Sequence, residues 1–112
     1  MSPDQFPEPD WRTLRKLQPI LLDRLCRRVL KEIEFAASDT SREAHETYLK
    51  LVELAQRRDR DIADGFNDMR RSTATLRIFH LRRLDLMTDE EFARFSAETC
   101  AEVQHMIGWA QR

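Results

Sequence analysis

Residues Thr40 to Asn67, TSREAHETYLKLVELAQRRDRDIADGFN, are the stretch on which the fold turns. Thr40 stands three residues before Glu43. That is the spacing of a capping box, in which each side chain satisfies the other's exposed backbone N–H. Beyond it Ala44, Tyr48, Leu51, Ala55, Ile62 and Phe66 recur at helical steps with Val52 beside them, and the intervening positions are mostly charged. The pattern is one apolar stripe on an amphipathic helix. A helix of this span runs about 40 Å, whereas a compact domain of this size has a radius of gyration of about 13 Å. The segment is therefore expected either to bend near Gly65 or to extend into a partner.

Working back towards the N-terminus, Ser38 to Ser41 read as a turn, which makes the preceding helix and the central one an antiparallel hairpin. That preceding helix is expected over Pro19 to Ala37, with Leu22, Leu25, Cys26, Val29, Ile33 and Ala36 inward and Ile20, Leu21, Leu30 and Phe35 off the stripe. An apolar face this wide implies contact with more than one neighbour. Pro19 suits a first helical turn and should end a short helix from Trp11 to Leu17 capped by Asp10. Residues 1–9 hold Pro3, Pro7 and Pro9 and read as an extended arm, with Phe6 able to anchor it; residues 10–112 read as a single helical domain.

Towards the C-terminus, Asn67 and Asp68 favour a turn, and Ser72 or Thr73 can cap a helix from Thr73 to Leu84 that is apolar around much of its circumference. Thr88 and Glu91 form a second capping-box spacing, opening a short helix with Phe92 and Phe95. Ser96 can cap a last helix, Ala97 to Ile107, with Cys100, Val103 and Ile107 inward, Gly108 as its stop and Trp109 packing back on Val103. The fold class that follows is all-α: a compact helical bundle of four main helices plus one or two short ones, built on the long antiparallel hairpin.

Composition agrees. The chain has 112 residues, 35% of them charged and 41% hydrophobic, with two glycines, which argues for packed helices. A net charge of −1 gives no global field to draw nucleic acid or an anionic membrane. Cys26 and Cys100 are far apart and in no metal-ligand spacing, so buried reduced thiols are expected. No apolar run approaches the length of a membrane span, and the acidic, Pro-rich beginning lacks the features of a signal peptide, so a cytoplasmic protein is expected.

Three residue sets are candidates for chemistry. Glu43 and Glu46, followed by Asp61 and Asp64, give an ExxE…DxxD pattern. It resembles the ExxE…ExxD carboxylates of the all-α nucleoside triphosphate pyrophosphohydrolases, with Asp where that pattern has its third Glu. The resemblance implies carboxylates holding magnesium against a triphosphate. On one continuous helix, however, Glu46 and Asp61 lie about 22 Å apart, so only a break or an antiparallel dimer would gather them. Glu102 and His105 have the helical spacing of di-iron proteins but occur once, without a matching second set, so no metal and no cofactor is expected. Arg70, Arg71 and Arg77 make a basic face that could meet phosphate backbones. From Asp68 to Leu84 the balance is +4 and from Asp85 onward −4, so the two segments can also neutralise each other within the fold or across a dimer. No serine, cysteine or histidine constellation suggests a nucleophile, and neither glycine makes a phosphate-cradling loop.

The expectation is thus a non-enzymatic helical interaction or assembly protein that self-associates as a homodimer or binds another protein, with Tyr48, Leu51, Phe66 and Phe79 as core or interface anchors. The alternatives are a nucleic-acid-associated regulator and a magnesium-dependent nucleotide hydrolase.

Overall fold

The computed structural model describes residues 6–111. It is an all-α bundle, with no strand among those residues. Helix α1 runs Glu8–Ala37, α2 Ala44–Phe66, α3 Ala74–Arg83, α4 Asp89–Phe92 and α5 Ala97–Ala110; a 3₁₀ turn, Arg71–Thr73, precedes α3. Four long helices and two short pieces thus match the architecture that the patterning implies.

The largest departure lies in α1, a single helix of 30 residues that passes straight through Pro19. An internal proline costs about 3 kcal/mol through its lost hydrogen bond and its clash with the preceding turn. Leu14, Leu17, Leu21 and Leu25 are all fully buried on one continuous stripe, at about 2 kcal/mol each. Their burial outweighs the proline, which sits on the exposed side. The inward stripe is therefore shifted from the expected one: Leu21 is in the core, while Leu22, Cys26, Val29 and Ile33 are half-buried. Of the expected arm, Phe6 is buried, Glu8 and Pro9 already belong to α1, and residues 1–5 lie outside the described residues.

Helix α2 is continuous to Phe66 and does not break at Gly65. Gly65 serves a close approach: a Cβ there would lie 3.1 Å from Leu81 Cδ2. The Thr40–Glu43 capping box is not formed, because the helix starts at Ala44 with Glu43 in the N-cap position and no side-chain capping bond. Asp39 organises the turn instead, accepting the Ser41 N–H at 2.9 Å and the Ser41 hydroxyl. This is the local bonding by which a short acid diverts backbone from a helix. By contrast, the Thr88–Glu91 box is complete and Ser96 accepts the Thr99 N–H at the start of α5. Asp68 and Asp85 take left-handed backbone (φ 56° and 54°) at the ends of α2 and α3, a region that Asp tolerates better than most residues. Gly108 does not stop α5, which runs on to Ala110.

One core gathers Phe6, the α1 leucines, Phe66, Ile78, Phe79, Leu81, Leu86, Met87, Phe92, Phe95 and Val103. All of it lies in the proximal half, where α3, α4 and α5 cover the hairpin. Beyond it α1 and α2 continue as a bare two-helix arm. The molecule is accordingly elongated, 53 × 31 × 24 Å with a radius of gyration of 16.7 Å.

Candidate functional site

The sequence-derived carboxylates are not brought together. Glu46, Asp61 and Asp64 are strung along the unbroken α2 with Glu43 at its N-cap, so Glu46 and Asp64 stand about 27 Å apart by helical rise and Glu43 lies farther still. Asp61 is an ion-pair partner of Arg58 at 2.7 Å, and Arg58 also grips Glu32 of α1 with two bonds of 3.0 Å. These two carboxylates, Glu32 first, hold the Arg58 guanidinium above its ordinary pKa. Among the described residues no cluster of three or more His, Cys, Asp or Glu side chains is placed to hold a metal ion. His105 accepts from Trp109 Nε1 at 3.1 Å on the surface of α5.

The arginine set is engaged locally. Arg70 pairs with Asp68 at 2.6 Å. Arg71 pairs with Glu8 and donates to the Phe6 carbonyl at 2.8 Å, tying the N-terminal segment to the 3₁₀ turn. Arg77 donates to the carbonyls of Ala63 and Asp64, where the C-terminal end of α2 favours a cation. Its Nε is buried without a hydrogen-bond partner among the described residues. Arg82 bridges towards the acidic C-terminal third, pairing with Asp89 at 3.0 Å and lying over the Phe92 ring. Part of the +4 and −4 imbalance is thereby neutralised within the chain. His80, beside Asp64 and Arg83, is pushed down from its ordinary pKa by burial, with Asp64 acting against it.

Two polar constellations are absent from the sequence reading. Asp10, expected as a helix cap on its own segment, is buried and caps α5 from the far end of the chain. It accepts the Ser96 N–H at 2.8 Å, the Ser96 hydroxyl at 2.7 Å and the Thr99 hydroxyl at 2.6 Å. Glu91 accepts two bonds from Arg24, at 2.7 and 3.1 Å, besides the Thr88 N–H, and Arg24 also reaches the Leu86 carbonyl. The Arg24 hydrogen bonds bring Glu91 down to a pKa of about 2. Both constellations are satisfied within the chain and clamp the bundle. No sequence signal links partners more than sixty residues apart.

The larger surface left uncovered by the fold is apolar. Of the expected anchors, Phe66 and Phe79 are core residues, Leu51 is half-buried and Tyr48 is 61% exposed. Tyr48 lies five turns before Phe66 and in line with it, so the side of α2 that enters the core at its C-terminal end is bare at its start. On α1, Leu30 is 63% exposed. Arg28, two residues earlier and hence on the opposite side of the helix, donates to the carbonyls of Leu84 and Asp85. The end of α3 therefore covers one side of the hairpin and leaves the side of Leu30 open. Ala37 and Tyr48 border one shallow hollow, which places the exposed sides of both helices on a common face. Along that face stand Cys26, Leu30, Ile33 and Ala37 of α1 and Ala44, Tyr48, Val52 and Ala55 of α2, with no charge until Asp59. Phe35, 83% exposed, projects on the other side beside a hollow of about 450 Å³ that also touches Arg42, Thr47 and Lys50.

Comparison with protein-family models, with curated proteins and with solved structures gives no match. No helix among the described residues is long and apolar enough to cross a membrane.

Proposed function

We propose that this chain is a non-enzymatic helical interaction protein that self-associates through its projecting hairpin. The observation that carries the reading is the uncharged face on the distal half of α1 and α2, exposed at Leu30, Tyr48 and Val52 in a chain that is 35% charged. Apolar area removed from water contributes about 25 cal/mol per Å², and a contiguous face of this kind marks interaction sites on soluble proteins. The polar chemistry of the molecule supports the same conclusion. Its buried carboxylates and the arginines that pair with them serve internal structure, which fits a role for the hairpin face in acting outward. Static light scattering at about 100 µM tests the reading: a mass well above the 13.4 kDa of one chain supports it, and a clean monomer refutes it.

The other two readings have weaker support. A nucleic-acid role would use Arg70, Arg71 and Arg77, all of which already bond within the chain. A magnesium-dependent nucleotide hydrolase would need Glu43, Glu46, Asp61 and Asp64 around one ion, whereas they follow one helix from end to end.

A further inference from the structure

Resting on that reading, we infer that the occupant of the bare hairpin face is a second copy of this chain, with the two α1 helices crossing antiparallel near Leu30 so that Arg27 of each meets Glu34 of the other. Arg27 and Glu34 lie one heptad apart, three residues before Leu30 and four after it, so they share one edge of α1. Two antiparallel copies related by a two-fold axis near Leu30 oppose these unlike charges twice. Such an arrangement is self-complementary, as an isologous interface requires.

Both charges are available. Glu34 is exposed and forms no ion pair with a described residue, and Arg27 bonds only Asp23, in an exposed pair one helical turn away. A pair of that kind contributes little to stability and is readily exchanged. Arg24, Arg58 and Arg71, by contrast, are held by carboxylates of other elements: Glu91, Glu32 and Glu8. Charge within the hairpin face is absent, so a partner of a single sign, an acidic peptide or a basic one, finds nothing there to recognise.

The area sets the strength. The bare portions of α1 and α2, residues 26–37 and 44–55, present a face about 18 Å long and two helices, about 18 Å, wide. That is about 320 Å² in projection, well below the roughly 800 Å² per partner that standard stable interfaces bury, so the dimer belongs to the weak, transient class. Association is therefore expected to be weak, with a dissociation constant of about 100 µM, driven by Leu30, Tyr48 and Val52 and registered by the charge pairs.

Charge exchange tests the arrangement. R27E and E34R each place like charges opposite one another in their own homodimer, whereas an equimolar mixture restores both unlike pairs in a heterodimer. Sedimentation velocity should show each variant alone associating at least tenfold more weakly than the parent, and the mixture recovering to within about threefold of it. Unchanged circular dichroism checks that these exposed substitutions leave the fold intact. A second variant reads the geometry without depending on charge. In a background with Cys26 and Cys100 replaced by serine, Leu30→Cys should be joined to its own copy by a short bis-maleimide, and Ile20→Cys, exposed on the same helix, should not. If the parent dimerises but neither charge variant alters it and Leu30→Cys fails to cross-link, the second copy docks elsewhere and only this inference falls. A parent that stays monomeric overturns it together with the reading beneath it.

Discussion

Glu91 shows how much of this small bundle rests on single polar residues. Its carboxylate is nearly buried, yet Arg24 and the Thr88 N–H hold it charged with a pKa lowered from 4.5 to about 2. A carboxylate whose folded pKa is depressed contributes stability that is complete above its unfolded value and fades as pH falls towards the folded one. Between pH 4.5 and 2 the parent should lose about 2 to 3 kcal/mol from this source. Glu91→Gln should be destabilised by a similar amount at neutral pH and be less sensitive to acid in that window; thermal unfolding followed from pH 7 to 2 measures both. Asp10 is the second such residue. Asp10→Ala would leave the Ser96 N–H and the Thr99 hydroxyl without their acceptor inside the protein. A loss of about 2 to 3 kcal/mol in urea denaturation is expected, with the midpoint falling at an unchanged slope.

At the scale of the element, α1 sets tertiary burial against local preference. Pro19 lies on the exposed side of a continuous helix, so its replacement requires no repacking. Pro19→Ala restores an N–H to the helical ladder and removes the clash, while giving the unfolded chain more freedom. A net gain of about 1 to 2 kcal/mol is expected in chemical denaturation, with unchanged helicity; a loss of stability would mean that the proline sets a bend that the packing uses. This is also where the sequence reads least well. A proline after two turns of apolar periodicity is a helix boundary on local grounds, and only the shared neighbours of Leu14, Leu17, Leu21 and Leu25 reverse that. The capping signals divide in the same way. Thr88 and Ser96 work because the helices begin where they stand, whereas Thr40 fails because Asp39, one residue earlier, claims the turn through Ser41. The stripe of α2 is legible from its spacing, but the spacing does not tell which part a neighbour covers: Phe66 is core and Tyr48, on the same line, is not.

At the scale of the molecule, the hairpin is longer than the body that covers it. An extent of 53 Å against a radius of gyration of 16.7 Å describes a compact head and a two-helix arm, the outcome that the length of α2 implies, with the still longer α1 behind it. Of the candidate face, Tyr48 can be picked out from its spacing, whereas Leu30 lies off the expected stripe of α1 and is nevertheless among the most exposed apolar residues. The clamps made by Asp10 and Arg24 could not be read, because contacts across the whole chain leave no local trace. Sedimentation equilibrium of the parent chain from about 1 to 300 µM tests the central claim most directly. An average mass that climbs from 13.4 kDa towards twice that value is expected as concentration rises. A mass that stays at one chain throughout would contradict it.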